Sequence, residues 1–222
     1  MILNIYKPQG LTSFGVIKSI RKASEIKKVG HAGSLDPFAT GVLLVCLGND
    51  TKKISEFMEL KKEYEGVIEF GIITDTYDID GKIIEMKPVK GYSIDFLEGI
   101  LSEFIGTIDQ VPPMYSAIKY FGKPLYKIAR ANKKIEIKAR KVNIYSIKVL
   151  NYVNPFLTLR IVCSKGTYIR SLAYDIGKIL GCGAYLKSLT RTKIGDYSIY
   201  NSLFLGDVER YFKNQNYYGN LV

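Results

Sequence analysis

Twelve consecutive positions, Gly30 to Gly41, hold three glycines, the only histidine of the chain (His31) and an aspartate followed by proline, Asp36-Pro37. Proline disfavours the helical region for the preceding residue, so Asp36 is expected in an extended or turn backbone. A segment of this kind between two structured elements is a candidate functional loop. In isolation the same pair also makes an ordinary glycine-rich turn, and a lone histidine is more often structural than catalytic. Three other stretches carry chemical potential. Tyr64 opens a strand pattern after Lys61-Lys62-Glu63, as a core aromatic or as a platform on which a base could stack. Cys163 to Arg170 reads as strand, glycine turn and helix start, which aims backbone amides and the Arg170 cation at an anion. Between Lys119 and Arg140, cations alternate with Tyr120 and Tyr126, as phosphate contacts interleaved with stacking would require; a solvated surface is the ordinary alternative.

Composition narrows the partners. The 222 residues include 32 Lys and Arg against 21 Asp and Glu, a formal charge of +11, which favours a polyanion. Cys46, Cys163 and Cys182 are odd in number, widely separated and set in apolar runs, so buried thiols in a reducing cytosol are expected rather than disulfides. One histidine and no C-x-x-C pair argue against a zinc site, and no phosphate-binding loop or dinucleotide fingerprint occurs. No apolar run approaches the ~18 residues of a membrane span, and the first residues lack the pattern of a secretory signal. A cytoplasmic protein without membrane association, metal or cofactor is expected.

The elements that must position these residues follow from periodicity. Ile2–Tyr6 and Val42–Leu47 are strand patterns, and between them Thr12 or Ser13 caps a helix whose Phe14, Ile17 and Ile20 share a face. Ile54, Phe57 and Met58 fit one face of a short helix. Residues 64–73 and 82–86 are expected to form a hairpin through Asp80-Gly81. Ser93 caps a helix bearing Phe96, Leu97, Ile100, Leu101 and Phe104. Strands recur at 142–149 and 156–163, and Thr167 is expected to cap a helix that Gly181 ends. Strands and helices interleave without regular βαβ winding, giving an α+β fold on a mixed, largely antiparallel sheet. No linker or repeat divides the chain, so a single catalytic domain over 1–222 is expected, with a core to about residue 200 and a short tail after it.

Four blocks together carry a resemblance. They are Lys7-Pro8-Gln9-Gly10-Leu11-Thr12-Ser13; Gly30-His31-Ala32-Gly33-Ser34-Leu35-Asp36-Pro37-Phe38-Ala39-Thr40-Gly41-Val42-Leu43; Gln110 to Ala117 with Gly122 to Tyr126 and Ala129-Arg130; and Lys165 to Leu172. In this order and spacing the sequence resembles the TruB-type tRNA pseudouridine synthases from about residue 2 to 198. The resemblance implies the pseudouridine synthase fold and isomerisation of uridine to pseudouridine, with uridine 55 of the T loop as target and no cofactor. It implies Asp36 as nucleophile, Tyr64 as the aromatic that stacks on the uracil, and Arg170 as partner of the catalytic carboxylate. His31, Tyr168, Leu189 and Lys7 fall among the substrate-binding positions. Lys119, Lys123, Arg130, Lys133 and Lys134 fall in the region that grips the T arm. Ala32 and Ser34 stand where threonines are usual, and Tyr174 and Tyr185 where histidines are. The expected tail, Ser202 to Val222, is too short for the C-terminal PUA domain that many members carry, which limits the expected contact chiefly to the T arm; separately, a monomer that requires no protein partner is expected. A non-catalytic tRNA-binding or folding helper, and a synthase acting on another RNA, are the competing readings.

Overall fold

Inward Leu3, Ile5 and Lys7 alternate with outward residues along β1 (Ile2–Lys7), in a computed structural model that describes residues 1–131 and 135–219. The described chain forms two units, one of Met1–Tyr64 with Leu189–Val222, the other of Glu65–Ser188. In the first unit β1 leads to α1 (Ser13–Ser24), whose Thr12 cap accepts the Gly15 N–H at 2.9 Å. Val16, Ile17 and Ile20 make its buried stripe, whereas Phe14, expected on that face, is 55% exposed. β2 (Val29–His31) and β3 (Thr40–Leu47) follow; β3 is antiparallel to β1 through Ile5↔Leu43 and to β2 through Gly30↔Cys46. A short helix, α2 (Ile54–Glu59), precedes β4 (Lys62–Phe70), a strand that runs on into the second unit.

The second unit continues with β5 (Ile72–Thr74), β6 (Ile83–Met86), α3 (Ile94–Ser102) and β7 (Gly106–Gln110). Then come the small hairpin β8 (Lys119–Tyr120) and β9 (Lys123–Pro124), α4 (Leu125–Arg130), and the long pair β10 (Arg140–Val153) and β11 (Phe156–Cys163). α5 (Ile169–Ile179) and β12 (Ala184–Ile194) return the chain to the first unit. β10 is antiparallel to both β11 and β7. The expected hairpin is smaller than the sequence suggests. Gly71, at φ +89°, interrupts the apolar run, so β5 rather than β4 pairs with β6. α5 begins after Tyr168, not Thr167, and has no side-chain cap.

Back in the first unit, β12 lies parallel to β3 through Thr190↔Thr40 and Arg191↔Gly41, and β13 (Tyr197–Ser198) is antiparallel to β12. β14 (Leu203–Phe204) lies parallel to β1. The last described element is α6 (Val208–Gly219), within the segment after residue 200. Its Val208 and Phe212 are buried in one cluster with Leu3, Ile5, Val16, Ile17, Ile20, Leu43 and Val45, and each such side chain removed from water contributes ~1.5–3 kcal/mol. Antiparallel ladders outnumber parallel ones in this α+β architecture. The three cysteines are buried and unbridged, and no described helix is long and apolar enough to cross a membrane.

Candidate active site

The segment between β2 and β3 has no ladder of its own, and its backbone is held by side chains from three directions. Ser13, at the start of α1, accepts the Leu35 N–H at 2.8 Å and donates its hydroxyl to Leu35 O at 3.1 Å, so one buried side chain closes both ends of that residue. Lys7 is fully buried and donates through Nζ to Pro8 O, Leu11 O and, at 3.3 Å, Pro37 O. Pro37 O also accepts the Gly10 N–H at 2.8 Å. On the other flank Arg191 of β12, 1% exposed, donates Nε to Val42 O at 2.7 Å, Nη1 to Ser34 O at 3.2 Å and Nη2 to Gly33 O at 3.1 Å. Ala39 N–H closes a turn on Asp36 O at 3.1 Å. Asp36, partly buried, thus lies between fixed points at Leu35 and Pro37, and none of these bonds uses its carboxylate.

Gly41 is required by this arrangement. It has φ +105°, and a Cβ there would lie 2.3 Å from the Arg191 carbonyl oxygen and 2.9 Å from its amide nitrogen. The cations shape the local titration as well. Burial lowers the Lys7 ammonium to about 8, with Arg191 pushing further down and Asp36 pulling back up. His31, at the end of β2, is lowered by burial and by the Arg191 charge, so its imidazole is neutral at pH 7.

The second unit fixes Arg170 differently. Gly166, at φ +78°, turns the chain from β11 into α5, and Gln110 at the end of β7 holds the turn. Its side-chain oxygen accepts the Tyr168 N–H at 2.8 Å while its amide donates to Tyr168 O at 3.1 Å. Ser171 Oγ donates to Val111 O at 2.7 Å. Arg170, 3% exposed, pairs with buried Asp78 at 3.2 Å and donates to Thr76 O at 3.1 Å and Tyr115 O at 3.0 Å. Asp78 in turn accepts the Thr76 hydroxyl at 2.5 Å and the Asp80 N–H at 3.1 Å. The β5–β6 connection, expected as a simple turn, therefore presents a carboxylate to the cation.

The remaining candidates occupy varied environments. Tyr64 points inward on β4 and is 8% exposed; Leu189 on β12 is 7% exposed; Tyr168 is partly buried. Lys7, expected to touch substrate, has its side chain sequestered and its ammonium spent on backbone carbonyls, because strand alternation carries it inward after Leu3 and Ile5. Lys119 and Lys123 are exposed on β8 and β9, flanking Phe121, which is 89% exposed at φ +45°. Arg130 closes α4, while Lys133 and Lys134 lie outside the described residues. Sequence reasoning passed over Ser13 as anything but a cap, and over Asp78, Gln110 and Arg191 altogether. For Arg191 a signal existed, since alternation from buried Leu189 places it on the inward face. Among the described residues no cluster of His, Cys, Asp or Glu is arranged to hold a metal.

Residues 21–169 match the TruB family pseudouridylate synthase N-terminal domain. The chain belongs to the TruB family. Residues 170–220 match the tRNA pseudouridylate synthase B C-terminal domain, which takes in α5, β12 and α6. Among TruB relatives, tRNA pseudouridine synthase B of Clostridium tetani is 49% identical over 93% of this chain and 72% of its own length. That of Clostridium acetobutylicum is 50% identical over 93% and 71%, and that of Francisella philomiragia 45% over 94% and 69%. Among solved structures, a Cbf5–Nop10–Gar1 complex matches at a TM-score of 0.75 with 29% identity, over 96% of this chain and 55% of the other. An H/ACA ribonucleoprotein bound to a substrate RNA containing 2′-deoxyuridine matches at 0.73 with 26% identity, over 98% and 55%. The fold is thus shared with these two structures over nearly the whole chain, while the chain spans little more than half of each of them.

Proposed function

We propose that this chain converts uridine to pseudouridine at position 55 in the T loop of tRNA, with Asp36 as the nucleophile. The observation that carries the reading is the clamped Asp36 loop, in which Ser13, Lys7 and Arg191 fix the backbone on either side of one carboxylate. Relatives named tRNA pseudouridine synthase B, matched over most of their length, support tRNA as the substrate.

The isomerisation breaks the N1 glycosidic bond, turns the uracil in place, forms the C5 bond and transfers the C5 proton to a base, with no net change in atoms or electrons. Attack by Asp36 at ribose C1′ or at uracil C6 is compatible with this balance. The target base must leave its stack at a cost of a few kcal/mol. Stacking on an aromatic such as Tyr64 returns ~1–3 kcal/mol of that. Tyr168, Leu189 and His31 are assigned to the nucleotide, Arg170 to the same reaction through its resemblance to the family pattern, and Lys119 and Lys123 to phosphates of the T arm. A cytoplasmic monomer acting alone completes the reading.

The test is an unmodified T-arm hairpin incubated with wild type and with Asp36→Asn, followed by chemical mapping of pseudouridine. Wild type modifies position 55 and Asp36→Asn binds without modifying it. Turnover by purified Asp36→Asn, or modification elsewhere in the hairpin, overturns the corresponding half of the proposal.

A further inference from the structure

Arg191 is the largest fully buried side chain among the described residues. It has no carboxylate within 4.0 Å there, and its guanidinium donates to three main-chain carbonyls. Taking a guanidinium out of water without a counter-ion is costly, and a well-packed apolar side chain would fill the same space without that penalty. The planar fork offers what an apolar side chain lacks, several donors at fixed mutual angles. Nε grips Val42 in β3, and the two terminal nitrogens grip Gly33 and Ser34 in the loop, so the guanidinium sets the loop against the strand that follows it. The neighbouring backbone is fitted to this use. Gly41 gives up its side chain to admit the Arg191 main chain, and the Thr40 and Thr190 hydroxyls bond across the same ladder at 2.9 Å.

We propose that Arg191 is a positioning residue for Asp36, holding Gly33 and Ser34 so that the carboxylate two residues further on is placed for attack. The assignment rests on Asp36 being the nucleophile. Lys7 anchors the far side at Pro37, and the mutual influence of Lys7, Asp36 and Arg191 on the Lys7 ammonium is consistent with three charges sharing one small volume. Arg191 itself touches no reacting atom. Its action is on rate, not on RNA affinity.

The experiment compares wild type, Arg191→Lys, Arg191→Met and Asp36→Asn by steady-state kinetics on the unmodified T-arm hairpin. Active protein is counted by hairpin-binding stoichiometry. Arg191→Lys keeps the charge and loses the fork, and Arg191→Met keeps bulk alone. Both are expected to lower kcat by roughly 10- to 100-fold with KM within about threefold of wild type, the signature of a misplaced reacting group. An Arg191→Lys protein with kcat within about threefold of wild type, or with its loss confined to KM, overturns the proposal. So does one that no longer binds the hairpin stoichiometrically, since Arg191 is then a folding residue. Turnover by Asp36→Asn removes the nucleophile reading beneath the proposal, whereas a silent Asp36→Asn beside a fully active Arg191→Lys removes the Arg191 assignment alone.

Discussion

The Asp36 loop and the start of α5 hold charged side chains by opposite means. Around Asp36 the grips fall on main chain, at Gly33, Ser34, Leu35 and Pro37, and two of the gripping side chains are buried cations. At Arg170 the grips fall on the head group itself, through Asp78, Thr76 and Tyr115. An acid whose flanking backbone is held in this way has its position set by its neighbours in the chain. A cation held by its head group surrenders freedom in exchange for a fixed direction of charge. Exchange of a side chain therefore has different consequences at the two places. At the loop, loss of the carboxylate leaves the gripped scaffold in place. At α5, even a charge-preserving exchange disturbs geometry.

The largest effect is expected from Asp36→Asn: no pseudouridine in a chemical map of the hairpin, with hairpin affinity and thermal unfolding close to wild type. Comparable loss of binding would show that the loop needs its carboxylate for shape and would dissolve the contrast. Next comes Arg170→Lys, which keeps the cation and loses the fork, with Asp78→Asn beside it. Each is expected to slow single turnover by roughly 100-fold, or ~2.7 kcal/mol of barrier, at saturating RNA. Unchanged rates would mean that the Asp78 grip is structural. Gly41→Ala follows, with an expected loss of ~2 kcal/mol or more in denaturant unfolding, from a forbidden backbone angle and a Cβ driven against the Arg191 carbonyl. Wild-type stability in that variant would show that the two strands separate easily. The smallest effect belongs to the basic hairpin, where Lys119→Ala with Lys123→Ala should weaken hairpin binding several-fold and flatten the salt slope by about 1.5, leaving kcat alone. A changed kcat would extend the catalytic region to β8 and β9.

Much of this was legible before any coordinates. Continuous apolar runs announced β3, and β-branched alternation placed β11 at its observed ends, since burial and periodicity agree there. Asp36 stood out through its proline and glycines. The failures share one physical cause, that the deciding partner is distant in sequence. Gly71 splits an apolar run because Val89 occupies the space its Cβ would need, at 2.5 Å. Phe14 and Phe96 have helical spacing but face outward, at 55% and 51% exposure. Asp78 carried no signal of its own in the sequence, because its partner, the Arg170 guanidinium, is 92 positions away. Arg191 was one cation in a basic strand, and nothing local to Leu189-Thr190-Arg191 states that its donors meet Gly33 and Ser34.

The first unit is assembled from both ends of the chain, and this orders events on the ribosome. Residues 65–188 are contiguous and can fold while synthesis continues. β1, α1 and β3 emerge well before Val208 and Phe212, which share one core with them, and must wait for both. The same delay reaches the acid: Gly33 and Ser34 receive the Arg191 fork only after about 160 further residues have been translated. A nascent chain thus carries Asp36 in an unset loop, and the loop reaches its observed geometry only after β12 has been made.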